Sequence, residues 1–244
     1  MAERYYIGEQ PTPSLGATLR LSPAESRHVT KVMRQKVGDS LLLFDGRGGE
    51  FIAQLIAIQK DSVEARIDES MPLAPKSSRQ LTIAAALPKG DRQKWMVEKL
   101  MELGTARIIP IITRYAVTKA DAPVVERLRR QAVEASKQCG AKYLPKIIEE
   151  KTLEELSDLT EQESVWFAHP VRDAAIGQCL PGKLPKSDKI TVLIGPTGGF
   201  APEEVEFAQD AGWLPLDLGP YLLRTETAAI AIAASLLLHS EAEI

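Results

Sequence analysis

From Leu81 onward, short apolar runs alternate with longer amphipathic or small-residue segments, and this rhythm restricts the fold more than any other feature of the chain. Leu81–Leu87, Arg107–Ile112, Ser164–Ala168, Ile190–Ile194 and Leu214–Leu218 have strand length and apolar content. Between and after them, Asp91–Leu103, Ala122–Cys139, Pro202–Ala211 and Thr225–His239 have helical period or length. Thr152-Leu153-Glu154-Glu155 adds a capping box that should open a short helix. Strands separated by helices predict an α/β sheet.

The first seventy residues follow a different rule. Thr18-Leu19-Arg20-Leu21 alternates, and Ser22-Pro23-Ala24-Glu25 supplies an N-cap, a proline at the first helical position and a capping-box glutamate. A helix is therefore expected from Pro23, ended by Gly38-Asp39, with Val29, Val32 and Met33 inward and Arg27, Lys31 and Arg34 outward. Ser40–Phe44, Glu50–Ile58 and Ser62–Ile67 read as strands, separated by Asp45-Gly46-Arg47-Gly48-Gly49 and by Lys60-Asp61. A small β-barrel or open sheet is the expected result. Between Ser70 and Ser78 two prolines and three serines carry no period, which suits a linker. The expected domains are 1–72 and 73–244.

Charge is unevenly spread along the chain. The 30 basic and 33 acidic residues leave a net charge of −3 and a pI of 5.8, yet residues 1–78, 79–150 and 151–244 carry 0, +6 and −9. A polyanion would be drawn to the middle block, so the acidic total does not exclude a nucleic-acid partner. Within the neutral first block, Arg20, Arg27, Lys31, Arg34 and Lys36 face only Glu25 over seventeen residues. On pattern alone such a run is more often a solvated face than a contact for RNA or DNA.

Several function classes are disfavoured. The longest apolar run, Ala228–Leu238, is shorter than the roughly 18 residues of a membrane span. Met1-Ala2-Glu3-Arg4-Tyr5 has no apolar segment of the secretory kind, so a cytoplasmic protein is expected. Cys139 and Cys179 lie 40 positions apart, and His28, His169 and His239 stand singly, so neither a disulfide framework nor a metal site is expected.

Two loops hold the candidate chemistry. Ile194-Gly195-Pro196-Thr197-Gly198-Gly199-Phe200 follows an apolar strand and precedes a helix that starts Pro202-Glu203-Glu204. Glycines let main-chain amides approach a ligand closely. The spacing fits neither the dinucleotide nor the triphosphate motif, and no lysine is available for phosphates. Two carboxylates at the helix start would repel phosphate but tolerate a neutral or cationic ligand. The second loop runs Leu218-Gly219-Pro220-Tyr221-Leu222-Leu223-Arg224-Thr225-Glu226-Thr227-Ala228 into an Ala-rich helix whose small residues permit close packing. Arg224 can hold an anion or an oxygen-rich base through its forked donors, with Glu226 holding Arg224 in place. Taken singly, the loops also read as a tight turn and a surface ion pair.

The succession I-G-P-x-G-G-F, then L-G-x-x-x-L-R-T-E-T-A, resembles the C-terminal domain of the RsmE family, SPOUT-class methyltransferases that modify uridine N3 in 16S ribosomal RNA. Other segments agree, in order and over nearly the full length. Arg27-His28-Val29 through Val32-Met33-Arg34 resembles the family's basic N-terminal helix, with Phe44-Asp45-Gly46 beyond it. Lys89-Gly90-Asp91-Arg92 with Lys99-Leu100-Met101-Glu102-Leu103-Gly104 resembles its K-G-D and K-x-x-E-L-G segment, and Ala135-Ser136-Lys137-Gln138-Cys139 stands where the family has an E-A-x-E-Q-S-like helix.

The resemblance implies an N-terminal PUA-like RNA-binding barrel and a C-terminal SPOUT α/β domain with a deep trefoil knot. Periodicity could not have suggested such threading. It implies S-adenosylmethionine (SAM) as cofactor, bound by Phe167, Ala168 and His169, by Ile194, Gly195, Pro196, Gly198 and Gly199, and by Leu218, Gly219, Leu222, Leu223, Thr225 and Ala228. It implies a homodimer acting on 16S rRNA of the small ribosomal subunit, in the decoding-region helix 44. The expected catalytic residues are Arg224, on a uracil carbonyl or a flanking phosphate, and Glu226, which orients it. Arg20, Arg27, His28, Lys31, Arg34, Lys89, Arg92 and Arg114 would contact RNA. Thr197 stands where the family usually has glutamate, and Tyr221 where it usually has arginine. Ribose 2′-O-methylation and a non-catalytic role in ribosome assembly stand as alternative readings.

Overall fold

The computed structural model describes residues 3–8, 10–60, 62–170, 178–179 and 187–238. The chain divides into two compact units, Met1–Lys76 with Ser136–Leu144, and Ser77–Ala135 with Pro145–Ile244.

The first unit is built on strands β1 (Arg4–Tyr6), β2 (Thr18–Arg20), β3 (Ser40–Phe44), β4 (Glu50–Ile58) and β5 (Val63–Ser70), in the order β1-β3-β4-β5-β2. The β3–β4–β5 meander is antiparallel, while β1 joins β3 in parallel. Register shifts between Ile52 and Ala53 and between Leu55 and Ala57 bend β4, so the sheet curls into an open half-barrel. Alternation places Leu41 and Leu43, Phe51, Ala53 and Leu55, and Val63, Ala65 and Ile67 in one core with Tyr5 and Val29.

Helix α1 (Pro23–Arg27) starts as the sequence requires, with Ser22 Oγ accepting from the Glu25 amide at 3.2 Å. Two expectations fail beyond that point. The Glu25 carboxylate turns to Lys137 at 2.5 Å, and the helix gives way at His28–Val32 to a π-helical turn that ends at Met33. Gly38 does not end it. Val29 is buried, but Val32 and Met33 face solvent, because the extra residue of the π-turn rotates them off the inner face.

The end of the long third helix and the loop after it belong to this unit and neutralise it internally. Buried Arg4 donates to Glu50 at 2.9 Å and to the Ser136 and Ala141 carbonyls at 3.0 Å, and its guanidinium lies 4.4 Å from the Phe44 ring centre. Lys142 completes the cluster, 2.6 Å from Glu50.

The second unit is a sheet of β6 (Gln80–Ala85), β7 (Arg107–Pro110), β8 (Lys146–Ile147), β9 (Ser164–Ala168), β10 (Gln178–Cys179), β11 (Lys189–Ile194) and β12 (Leu214–Asp217). The order is β10-β12-β9-β11-β6-β7-β8, and every ladder is parallel. Its helices are α2 (Arg92–Glu102), α3 (Ala122–Cys139), α4 (Leu153–Leu159), α5 (Pro202–Asp210) and α6 (Thr225–Leu237). Thr152 and Glu155 form the expected capping box at α4, with bonds of 3.3 and 3.0 Å. His239, expected at the end of α6, lies outside the described residues, as does Asp61 of the β4–β5 turn. Ala228, Ala229 and Ala233 are buried where α6 packs on α2 and β6, so the small side chains do permit close approach. No helix among the described residues is long and apolar enough to cross a membrane.

Candidate functional site

Parallel sheets collect their loops at the carboxyl ends of the strands, and ligands bind there because main-chain amides and helix starts converge. Here the strands end level. Ala85 pairs with Ile194, Ile194 with Ala168, and Ala168 with Leu216, so β6, β11, β9 and β12 release their loops from one line. The three segments expected to hold the cofactor follow β9, β11 and β12, which are adjacent strands.

After β9, the His169 amide donates to the Leu216 carbonyl at 3.0 Å and its ring lies 5.9 Å from that of buried Phe167. Partial burial depresses the His169 pKa, which favours the neutral ring. After β11, the Gly199 amide bonds the Pro196 carbonyl at 2.8 Å, with Gly199 at a φ of +75° that an L side chain rarely adopts. A Cβ on Gly195 would lie 3.3 Å from both the Gly199 carbonyl carbon and the Phe200 ring, and one on Gly198 would lie 3.3 Å from Tyr115 Cβ. After β12, the Asp217 carboxylate accepts from the Gly219 amide at 2.8 Å. Leu218 and Leu223 are half-buried, whereas Leu222 is 80% exposed. Thr225 Oγ1 donates to the Gly195 carbonyl at 3.0 Å, which ties the start of α6 to the β11 loop, with Ala228 buried behind it.

The expected Arg224–Glu226 pairing is replaced by another. Glu226 is buried and its Oε1 lies 3.5 Å from Arg92 Nη1, while Oε2 has no hydrogen-bond partner among the described residues. Helical geometry explains the change: Arg224 is the N-cap residue with extended backbone, and Glu226, one residue into α6, turns toward α2. Arg224 is exposed and makes no side-chain capping bond. The carboxylates at the start of α5 are also committed, since Glu204 accepts from the Ala201 and Arg114 amides at 2.7 and 2.8 Å. Glu203 pairs with Arg114 at 2.7 Å, and its own amide together with that guanidinium holds its carboxyl below the usual range.

The expected RNA contacts separate into two groups. Arg20 pairs with Glu64 at 2.9 Å, His28 with Glu3 at 2.7 Å, Arg92 with Glu226 and Arg114 with Glu203. Arg27, Lys31, Arg34 and Lys89 are exposed and have no ion-pair partner among the described residues. Sequence reasoning missed Tyr115 against Gly198. Its loop after β7 carries no motif, and only the sheet order brings it there.

Comparison with known proteins agrees with this geometry. The RNA methyltransferase domain family matches residues 75–237, and the RNA methyltransferase PUA domain family matches residues 21–68. The ribosomal RNA small subunit methyltransferase E of Rickettsia conorii is 34% identical over 98% of this chain and 97% of its own length. A methyltransferase of Legionella pneumophila, solved in complex with SAM, superposes with a TM-score of 0.86 at 31% identity, covering 96% of both chains. The ribosomal RNA small subunit methyltransferase E of Neisseria gonorrhoeae, solved bound to SAM, gives 0.84 at 27% identity with the same coverage. With a PUA-like half-barrel, a parallel SPOUT-type sheet and these matches across its length, the chain belongs to the ribosomal RNA small subunit methyltransferase E family.

Proposed function

We propose that this protein methylates N3 of a uridine in 16S ribosomal RNA, in the decoding-region helix 44 of the small subunit, with SAM as the methyl donor. The observation that supports it most is the level exit of the β9, β11 and β12 loops, clamped by the Thr225–Gly195 bond. A ligand there meets main-chain groups, a histidine whose burial favours the neutral form, and carboxylates already engaged by Arg114 and backbone. These features suit a cationic cofactor without phosphates, and SAM supplies a methyl group already activated on a sulfonium.

Phe167, Ala168 and His169, the Ile194–Gly199 turn, and Leu218, Gly219, Leu223 and Thr225 would hold it, with exposed Leu222 folding over and Ala228 supporting from behind. N3 must lose its imide proton before it can attack. Arg224, exposed at the start of α6, would stabilise the negative charge that then spreads to the uracil oxygens. Glu226 acts on Arg92 in this scheme, and the Arg92–Glu226 pair braces the floor beside Arg224. Arg27, Lys31, Arg34 and Lys89 would contact phosphates. The same reading takes the protein as a cytoplasmic homodimer and takes the return of the chain from β12 to α6 as the threaded turn of a trefoil knot.

Titration calorimetry with SAM tests the cofactor assignment. Saturable binding is expected for the wild type and none for Gly198→Trp, whose side chain meets Tyr115 and fills the loop mouth. Absence of binding by the wild type at millimolar SAM would overturn the assignment.

A further inference from the structure

The π-turn after α1 places apolar side chains where folding has no use for them. In a regular helix residues 29, 32 and 33 share one face, so Val32 and Met33 would join Val29 in the core. They are instead 62% and 42% exposed, while Val29 is fully buried. Within the turn the Met33 amide bonds the His28 carbonyl at 2.9 Å, and Gln35 closes it by bonding the Val29 carbonyl at 3.0 Å. Arg34 takes a φ of +55°, in the left-handed region that non-glycine residues seldom occupy.

This conformation is fixed from below. Tyr5 donates to Gln35 Oε1 at 2.8 Å, His28 bonds Glu3 at 2.7 Å and stands edge-on to Tyr5, and Thr30 donates to the Ser26 carbonyl at 2.8 Å. A rigid base thus carries an exposed crown whose two apolar tips are flanked by Arg27, Lys31, Arg34 and Lys36. None of these four side chains has an ion-pair partner among the described residues. Of the acids that flank them in sequence, Glu25 is turned to Lys137 and Asp39 accepts from the Lys36 amide at 2.8 Å.

We infer that this crown is a wedge for RNA, in which Val32 and Met33 press into an interrupted step of the base stack while Arg27, Lys31 and Arg34 hold the flanking phosphates. The inference rests on the RNA-substrate reading above. Charge complementarity favours a polyanion over a protein partner, because protein interfaces place few lysines around their apolar centre. Apolar side chains between basic groups are the means by which other proteins unstack a base step. The preferred ligand is therefore a helix with a bulge or an unpaired step, since a continuous duplex must first be opened.

The test measures binding of the full chain to an RNA hairpin carrying 2-aminopurine at a bulge, and to a fully paired duplex of matching length. The wild type should prefer the bulged hairpin about tenfold and raise its fluorescence as the base unstacks. Val32→Ser/Met33→Ser should lose that preference and the fluorescence rise, while the slope of log Kd against log salt stays unchanged. Lys31→Gln/Arg34→Gln should keep the preference but reduce the slope by about 0.7–0.9 per charge removed. All four positions are exposed, so loss of folding does not confuse the comparison. Equal binding and equal fluorescence for the double serine variant would overturn the wedge while leaving the substrate reading intact. Failure of the wild type to bind either RNA at low salt would overturn both.

Discussion

Arg224→Ala is expected to lower turnover on assembled small subunits by about 10²–10³-fold, the range for removing one donor that stabilises developing negative charge. SAM affinity should remain within a factor of about two, because Thr225, not Arg224, makes the bond to the Gly195 carbonyl of the β11 loop. Folding should also be spared. Arg224 is exposed, makes no side-chain cap bond, and keeps its extended backbone as readily when replaced by alanine. Single-turnover methylation under saturating SAM separates the chemical step from binding. Full turnover by the variant would end the catalytic assignment of Arg224.

Glu50→Ala should destabilise the first unit by about 3–5 kcal/mol, the range for leaving a buried charge without its partner. Arg4 is only 4% exposed, and Glu50 is its one carboxylate partner among the described residues, shared with Lys142 at 2.6 Å. Two carbonyls and the Phe44 ring would still solvate Arg4, but none carries a compensating charge. Glu64→Ala provides the comparison, since its partner Arg20 is largely exposed and such pairs contribute about 0–1 kcal/mol. Urea unfolding followed by a probe in the first unit reads both. Similar midpoints for the two variants would contradict the account of the buried cluster.

Much of the second unit was legible because its elements announce themselves. Ala122–Cys139 and Ser164–Ala168 fall where period and apolar content place them, and the capping box at Thr152 opens α4. Strands β1, β8 and β10 were not anticipated, being two or three residues long and defined by the neighbour they pair with. Buried Arg4 also breaks the alternation that would have revealed β1.

The π-turn at His28–Val32 was invisible for a different reason. Val29, Val32 and Met33 carry a helical pattern, and only the bonds from Tyr5, Glu3 and Gln35 show that the period is interrupted. Of the candidate site, glycines at strand ends mark the loops after β11 and β12, whereas Phe167, Ala168 and His169 carry no such mark and follow only from the family resemblance. Partners of charged side chains could not be located. Glu226 chooses Arg92, 134 positions away, and Glu25 chooses Lys137, because tertiary packing brings those groups together and local spacing carries no trace of it.

The protein and radiolabelled SAM can be incubated with small ribosomal subunits from a strain that lacks the activity, and the 16S rRNA then digested to nucleosides. Label is expected in 3-methyluridine alone, at a site in helix 44, and its transfer should be about 10²–10³-fold slower with Arg224→Ala. Label in a 2′-O-methylated nucleoside, or no transfer by a protein that binds both SAM and RNA, would contradict the proposed activity.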